Sequence, residues 1–315
     1  MCRLRRANRI VGLFAGAFVC ALAFTCAVTA RAAVTVVDDA GATVTLAAPA
    51  RRVVSLAPHA TELAYAAGGG AKLVAAVSYS DYPPAAKALP RVGGNTGLDL
   101  ERIVALKPDL VIVWRHGNDD RQLERLRAMH IALFRSEPRK LDDVATNLER
   151  LGQLFGTSET AEAAAKEYRS EIAQLRARYA GLAPVRVFYQ VWDHPLLTLN
   201  GTHIVSDAIA LCGGHNVFAD LAPLVPAVST EAVVAADPEA IITASVGTTA
   251  PDAPLPSLGT WRAWRGMTAV ARGNLFAIDG DLIDRPGPRL AQGADALCRD
   301  LDMARSRRPS AAARP

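Results

Sequence analysis

Three aromatic residues stand where a flat molecule could be held. Tyr79 follows the apolar run Leu73–Val77, Trp114 follows Leu110–Val113, and Trp192 follows Val187–Gln190. Each run reads as a β-strand, and in open α/β sheets ligands sit outside the carboxyl ends of the strands. Rings in those places suit a large, flat, partly apolar ligand, although a Trp beside a strand can equally belong to a lobe core. Polar groups occupy similar ground. Residues 280–288 (GDLIDRPGP) follow Leu275–Ile278 and offer Asp281, Asp284 and Arg285, either to a ligand or to a solvated surface loop. His59 and His194 each follow the first strand of one half of the chain, so both are candidates to face a cleft; the plainer alternative is a histidine in a solvated loop. Trp261 and Trp264 stand at helical spacing and are expected in a core.

Bond-making chemistry has little support. There is no phosphate-binding glycine loop, no H-E-x-x-H, no C-x-x-C and no G-x-S-x-G. The six histidines show no metal-ligand spacing, so no metal site and no catalytic residue is expected. Gly68-Gly69-Gly70 follows a helix and reads as its stop.

The elements that must position these side chains repeat. Leu98–Val113 (LDLERIVALKPDLVIV) aligns without a gap on Val228–Thr243 (VSTEAVVAADPEAIIT) at a constant offset of 130 residues, matching Glu101 to Glu231 and Pro108 to Pro238. Each copy is a polar start, a Glu, a short helix, a Pro stop and an apolar strand. Strands alternating with helices predict parallel sheets, and a duplication of this length predicts two α/β lobes with a cleft between them. Between the halves, Ala161, Ala165, Tyr168, Ile172, Leu175 and Tyr179 form one helical stripe, capped by Thr157-Ser158 and ended by Gly181 and Pro184. A helix of that length, about 30 Å, can brace two lobes. Either repeated Glu alone would be explained by the dipole of its helix. Equivalent positions on two lobes suggest more: two carboxylates that dock on arginines of a two-fold symmetric partner.

Residues 1–32 carry five Arg and no acid, an uncharged apolar run from Ile10 to Val28, and Ala30-Arg31-Ala32, the anatomy of a cleavable secretory signal; a membrane anchor is the alternative. Removing them leaves 30 basic against 31 acidic residues, net about −1, which is no nucleic-acid footprint. Three of five cysteines leave with that segment. The remaining pair, Cys212 and Cys298, reads as a disulfide in an oxidising compartment, against the alternative of two buried thiols. The expected organisation is a signal at 1–32, an N-terminal lobe at 33–156, a linking helix at 157–182, a C-terminal lobe at 183–301 and a disordered tail at 302–315.

From Arg51 to Leu301 the chain resembles the periplasmic cobalamin-binding components of ABC importers, within the wider class of helix-braced proteins that bind metal chelates. Thr61-Glu62-Leu63-Ala64, residues 78–84 (SYSDYPP), Leu100 through Trp114-Arg115, and Cys212-Gly213-Gly214 carry the likeness. The resemblance implies two Rossmann-like lobes with parallel central sheets joined by one long helix, with a corrinoid in the cleft. It places the ligand at Tyr79, Trp114, the Trp192-Asp193 loop, Asp281 and Arg285, permease docking at Glu101 and Glu231, and a disulfide at Cys212–Cys298. The corrinoid is cargo, and no cofactor is implied. The partner is an inner-membrane ABC permease, the location the periplasm, and the chain a monomer. Some residues depart from the pattern. Asn95 and Val225 stand where the prototype carries Trp, His59 replaces a small residue, and Trp192 is added. Haem or a ferric siderophore is therefore the second expected ligand, with ligation of haem iron by His59, His194 or Tyr79. A hydrolase is the third reading, with no acid and nucleophile spacing to support it.

Overall fold

A computed structural model describes residues 33–94, 97–245 and 256–309. The expected export segment, Asn95 and residues 310–315 lie outside them. The runs that read as strands build two parallel sheets. In the first, β1 (Val53–Ser55), β2 (Leu73–Ala76), β3 (Leu110–Val113) and β4 (Ala132–Arg135) take the order β2-β1-β3-β4. In the second, β5 (Val185–Gln190), β6 (Gly214–Asn216), β7 (Ala240–Ser245) and β8 (Leu275–Asp279) take the order β6-β5-β7-β8. The two sheets share one strand order. Val53 pairs with Leu110 in one, and Val187 with Ala240 in the other. All four residues of β3 are buried, as a parallel strand covered on both faces requires. An antiparallel hairpin, Val34–Val37 with Thr43–Leu46, adds Val36, Val44 and Leu46 to the core of the first lobe.

The crossing helices that matter for the site are α1 (Pro58–Ala66), α2 (Leu100–Ala105), α3 (Leu141–Phe155), α4 (Ser158–Tyr179), α5 (Ile204–Leu211), α6 (Thr230–Ala236), the single turn α7 (Gly280–Ile283) and α8 (Leu290–Ser306). Helix α1 begins at Pro58, three residues before the Thr61 start that the sequence suggests. Proline suits the first helical turn, and the Thr61 hydroxyl instead bonds Ser55 Oγ at 2.9 Å, tying helix to strand.

Helix α4 buries the stripe read from sequence, Ala161, Ala165, Tyr168, Ile172, Leu175 and Tyr179. Thr157 does occupy its N-cap position, but the hydroxyl donates to the Ala67 carbonyl instead of capping the helix. One apolar cluster runs from Leu63 and Leu148 through this stripe to Ile209, Leu297 and Leu301. The lobes therefore share a core, and a shared apolar core restricts their relative motion. Cys212, at the end of α5, is bonded to Cys298 in α8. Closing a loop of 86 residues stabilises by roughly 4–5 kcal/mol on the chain-entropy account.

The expected disordered tail from Asp302 is corrected. Helix α8 continues to Ser306, and Arg305 Nε donates to the Ala183 carbonyl at 2.8 Å. Arg307 bonds the Gly273 carbonyl at 2.6 Å, and Arg308 Nε meets Glu239 at 2.8 Å. Arginines that read as tail charges instead fasten the end of α8 to the Ala183 and Gly273 carbonyls and to Glu239. No helix among the described residues is long and apolar enough to cross a membrane.

Candidate functional site

In the order β2-β1-β3-β4 the chain runs to opposite sides from β1, so the crevice falls at the carboxyl ends of β1 and β3. His59 and Trp114 occupy those two ends. Their rings meet edge to face with centroids 5.6 Å apart. Asn118 fixes the arrangement, accepting from the Trp114 N–H at 2.8 Å and donating to the Leu56 carbonyl at 3.0 Å. His59 is 3% exposed. Burial, reinforced by the Arg285 charge, lowers its pKa to about 4 against a smaller opposing pull from a hydrogen bond to the Ser136 backbone. The ring is therefore neutral near pH 7, and its Nε2 has no hydrogen-bond partner. It is a buried histidine in the crevice, not one in a solvated loop. Trp114 is half-buried and packs on the core. Tyr79 is 69% exposed, with a left-handed φ of 65°.

The polar loop after β8 reaches across to the first lobe. Arg285 contacts Glu62 at 3.2 Å, Asp81 at 2.8 Å and Asp281 at 2.7 Å. Arg289 grips Glu62 in a bidentate pair, Nε to Oε2 at 2.9 Å and Nη2 to Oε1 at 2.6 Å. Its guanidinium also lies over the Tyr82 ring, 4.0 Å from the centroid. Glu62 and Asp81 belong to the first lobe, the arginines and Asp281 to the second. The carboxylate of Glu62 is nearly inaccessible, whereas those of Asp81 and Asp281 are 42% and 47% exposed. Although burial raises the Asp81 pKa, its hydrogen bond and charge contact with Arg285 outweigh that and leave it lowered. A second polar tie joins the lobes at Asp207, which accepts from Lys140 Nζ at 3.1 Å and from the Leu141 N–H at 2.9 Å.

Asp284, offered by sequence as a ligand group, is turned inward instead. It accepts the Tyr189 hydroxyl at 2.7 Å, and burial raises its pKa to about 6. Trp192 is 59% exposed on a short hairpin (Trp192–Asp193 with Leu196–Leu197), where its Nε1 donates to the His194 carbonyl at 3.1 Å. Asp193 lies 3.4 Å from His194 Nδ1. Of the expected pair of core tryptophans, only Trp261 is buried, with its Nε1 on Gln190 at 2.6 Å. Trp264 is 40% exposed and lines a hollow of about 210 Å³ with Asp193 and His194.

The structure thus joins His59 to Trp114, and Asp281 to Arg285. Among the described residues, neither Tyr79 nor Trp192 makes a ring contact with Trp114. Nor do His, Cys, Asp and Glu converge there in any group of three able to hold a metal ion. Glu62, Asp81, Tyr82 and Arg289 join this cluster, and sequence reasoning left them without a role. Their one signal was a charged Glu62 inside the apolar run of α1, which a buried partner must balance.

The repeated glutamates sit on matching helices. Asp99 caps α2 by accepting the Arg102 N–H at 2.9 Å, and Ser229 caps α6 by accepting the Ala232 N–H at 3.2 Å. Glu101 and Glu231 are both exposed in the first turn. Hydrogen bonds from its own backbone and from Ser229 lower the Glu231 pKa.

Comparison with known proteins agrees with this architecture. Residues 53–282 match the periplasmic binding protein family. The chain is 40% identical over 257 residues to a vitamin B12-binding protein of Vibrio cholerae serotype O1, covering 81% of this chain and 91% of that one. It is 39% identical over 252 residues to the vitamin B12-binding protein of Yersinia pestis (strain Pestoides F), covering 80% and 86%. The crystal structure of the periplasmic vitamin B12-binding protein BtuF of Vibrio cholerae superposes with a TM-score of 0.73 at 39% identity, over 82% of this chain and 98% of that one. A periplasmic heme-binding protein from Pseudomonas aeruginosa superposes with a TM-score of 0.68 at 27% identity, over 83% and 95%.

Proposed function

The chain belongs to the periplasmic binding protein family, and from that premise we propose that it captures a corrinoid such as cobalamin and delivers it to an ABC permease of the inner membrane. The observation that carries this reading is the 40% identity over 257 residues to a vitamin B12-binding protein. On this reading the chain is exported through residues 1–32, cleaved after Ala32, and works as a periplasmic monomer. Trp114, Tyr79 and Trp192 supply ring contacts, His59 a neutral imidazole, and Asp193, Asp281 and Arg285 polar contacts to the edge of the macrocycle. Glu101 and Glu231 meet the permease. The cobalt keeps its own axial groups, and no bond is made or broken. Two features support limited movement on binding: the apolar core shared through α4, and the ion pairs that cross between the lobes.

Haem is the second reading, favoured by the 27% identity to the Pseudomonas aeruginosa heme-binding protein. Titrating the mature protein with cyanocobalamin and haemin side by side separates the two. The corrinoid reading expects saturable cyanocobalamin binding that Trp114→Ala weakens by about tenfold, the magnitude of one lost aromatic contact. No saturable binding, together with a shifted haem Soret band that is lost in His59→Ala, His194→Ala or Tyr79→Ala, would overturn it.

A further inference from the structure

The charged cluster at the edge of the cleft has a sign. Three carboxylates, Glu62, Asp81 and Asp281, surround two guanidiniums, Arg285 and Arg289. The sum is −3 and +2, net −1. Every one of these charges has a partner at 3.2 Å or closer, so neither arginine is free to receive an anion. Among the described residues no third cation forms an ion pair with these carboxylates, and Arg91 donates instead to the Ser80 carbonyl at 2.9 Å. His59 is uncharged near neutral pH. Residues 246–255, which follow β7, contain no Lys or Arg. Arg115, after β3, is exposed and has no ion-pair partner among the described residues, but it lies on a different strand end from the cluster.

The two carboxylates that remain partly open, Asp81 and Asp281, each meet Arg285 through Oδ1, and their side chains are 42% and 47% exposed. An ionised carboxylate only accepts hydrogen bonds. A primary amide brings two N–H donors and no charge, and can bond to such an oxygen without disturbing the arginines. A carboxylate brings the same size and shape with a negative charge and no donor. It would have to displace Asp81 or Asp281 from Arg285, leaving that residue unpaired beside a like charge.

We propose that the Asp81–Arg285–Asp281 cluster selects macrocycles edged by neutral carboxamides and rejects those edged by carboxylates. It does so by like-charge repulsion and by holding its guanidiniums in ion pairs that a neutral edge can approach without breaking and an anionic edge cannot. This rests on the corrinoid reading and sharpens it, because a corrinoid periphery of acetamides and propionamides meets the requirement and the two propionates of haem do not. Selectivity of this kind comes from an element placed against the wrong ligand as much as from contacts to the right one.

The test compares cyanocobalamin with its monocarboxylic acids, made by hydrolysing single peripheral amides, in calorimetric titrations of the mature protein at pH 7.5 and low salt. At least one monoacid should bind about tenfold more weakly than the parent, and the gap should narrow as salt rises. In Asp281→Asn and in Asp81→Asn that ratio should fall below about threefold. Comparing the two ligands within each variant cancels any general loss of affinity. Monoacids that all bind as tightly as the parent in the wild type would overturn the proposal, as would a ratio unchanged in both variants. In those cases the corrinoid reading stands, because the parent still binds. If cyanocobalamin itself fails to bind, the corrinoid reading falls and this proposal with it.

Discussion

The two lobes share a backbone plan and differ in the chemistry at their rims. The shared plan reaches fine detail. Both sheets take one strand order, α2 and α6 carry capping side chains at matching positions, and Lys107 and Asp237, which follow these helices, both adopt a left-handed φ, 48° and 40°. Even a stray contact repeats: Arg52 donates to the Leu106 carbonyl, and Arg186 to the equivalent carbonyl of Ala236. At the strand ends the likeness stops. The first lobe offers His59 against Trp114, and the second offers the Arg285 loop with Asp284 turned inward on Tyr189. A two-fold partner requires matched surfaces, whereas a guest in the cleft requires only that the two rims fit its own unlike edges.

The widest test of that division is to break the matched part alone. Replacing Glu101 and Glu231 together by Lys should abolish corrinoid uptake in cells, while the purified protein keeps cyanocobalamin affinity within about twofold. Reversing one charge should give an intermediate loss, since the sites act as a pair. Uptake at wild-type rate, or affinity lost along with uptake, would refute the docking role.

The next largest effect concerns the unlike part. Glu62 is a buried carboxylate held by two guanidiniums. Glu62→Gln leaves Arg289 without its ion-pair partner in a nearly inaccessible place and should cost about 3–5 kcal/mol in urea unfolding. Asp81→Asn removes a 42% exposed partner of the same Arg285 and should cost less than about 1 kcal/mol. Equal losses would mean that burial does not set the strength of the cluster.

What the sequence made legible follows from this contrast. Periodic features could be read: the stripe from Ala161 to Tyr179, the repeat at Glu101 and Glu231, and the strands that place Trp114 and Arg285. Each depends on neighbours within a few turns. The cluster around Glu62 could not be read, because it joins residues more than 200 positions apart and only the fold brings them together. Asp284 and Asp281 illustrate the same limit. Three residues apart in one loop, they look alike in sequence, yet one is sealed under Tyr189 and the other stays half open. The tail was misread for a related reason, since Arg305 and Arg308 find carbonyl and carboxylate partners only after the chain has folded back on Ala183 and Glu239.

The rims should also titrate in opposite senses. His59 has a folded pKa of about 4 against an ordinary 6.5. The unfolded chain thus gains a proton that the folded chain refuses. Its contribution is full above pH 6.5 and is lost as pH falls towards 4, by about 3 kcal/mol. Asp284 has a folded pKa of about 6 against an ordinary 3.8. Its contribution is full below pH 3.8 and is lost as pH rises through 6, again by about 3 kcal/mol. In wild type the two oppose each other between pH 4 and 6. Urea unfolding at pH 4, 5, 6 and 7 should show His59→Gln gaining on wild type as pH falls, and Asp284→Asn gaining as pH rises. Parallel curves for either variant would remove that residue from the account.

The smallest effect falls back on the repeat. Lys107 and Asp237 are equivalent, and both take a backbone shape that costs a non-glycine residue about 1 kcal/mol. Lys107 has no hydrogen-bond or ion-pair partner for its side chain among the described residues, so Lys107→Gly should stabilise the protein by about 0.5–1 kcal/mol. Asp237 differs, because its carboxylate accepts from the Thr268 N–H and hydroxyl, each at 2.7 Å. Two charge-assisted hydrogen bonds outweigh the backbone strain, so Asp237→Gly should destabilise by about 1 kcal/mol despite the same φ. Thermal unfolding of both variants decides it. A shift of the same sign in both would mean that the backbone alone governs these positions, and that the second copy gains nothing from its added contact with Thr268.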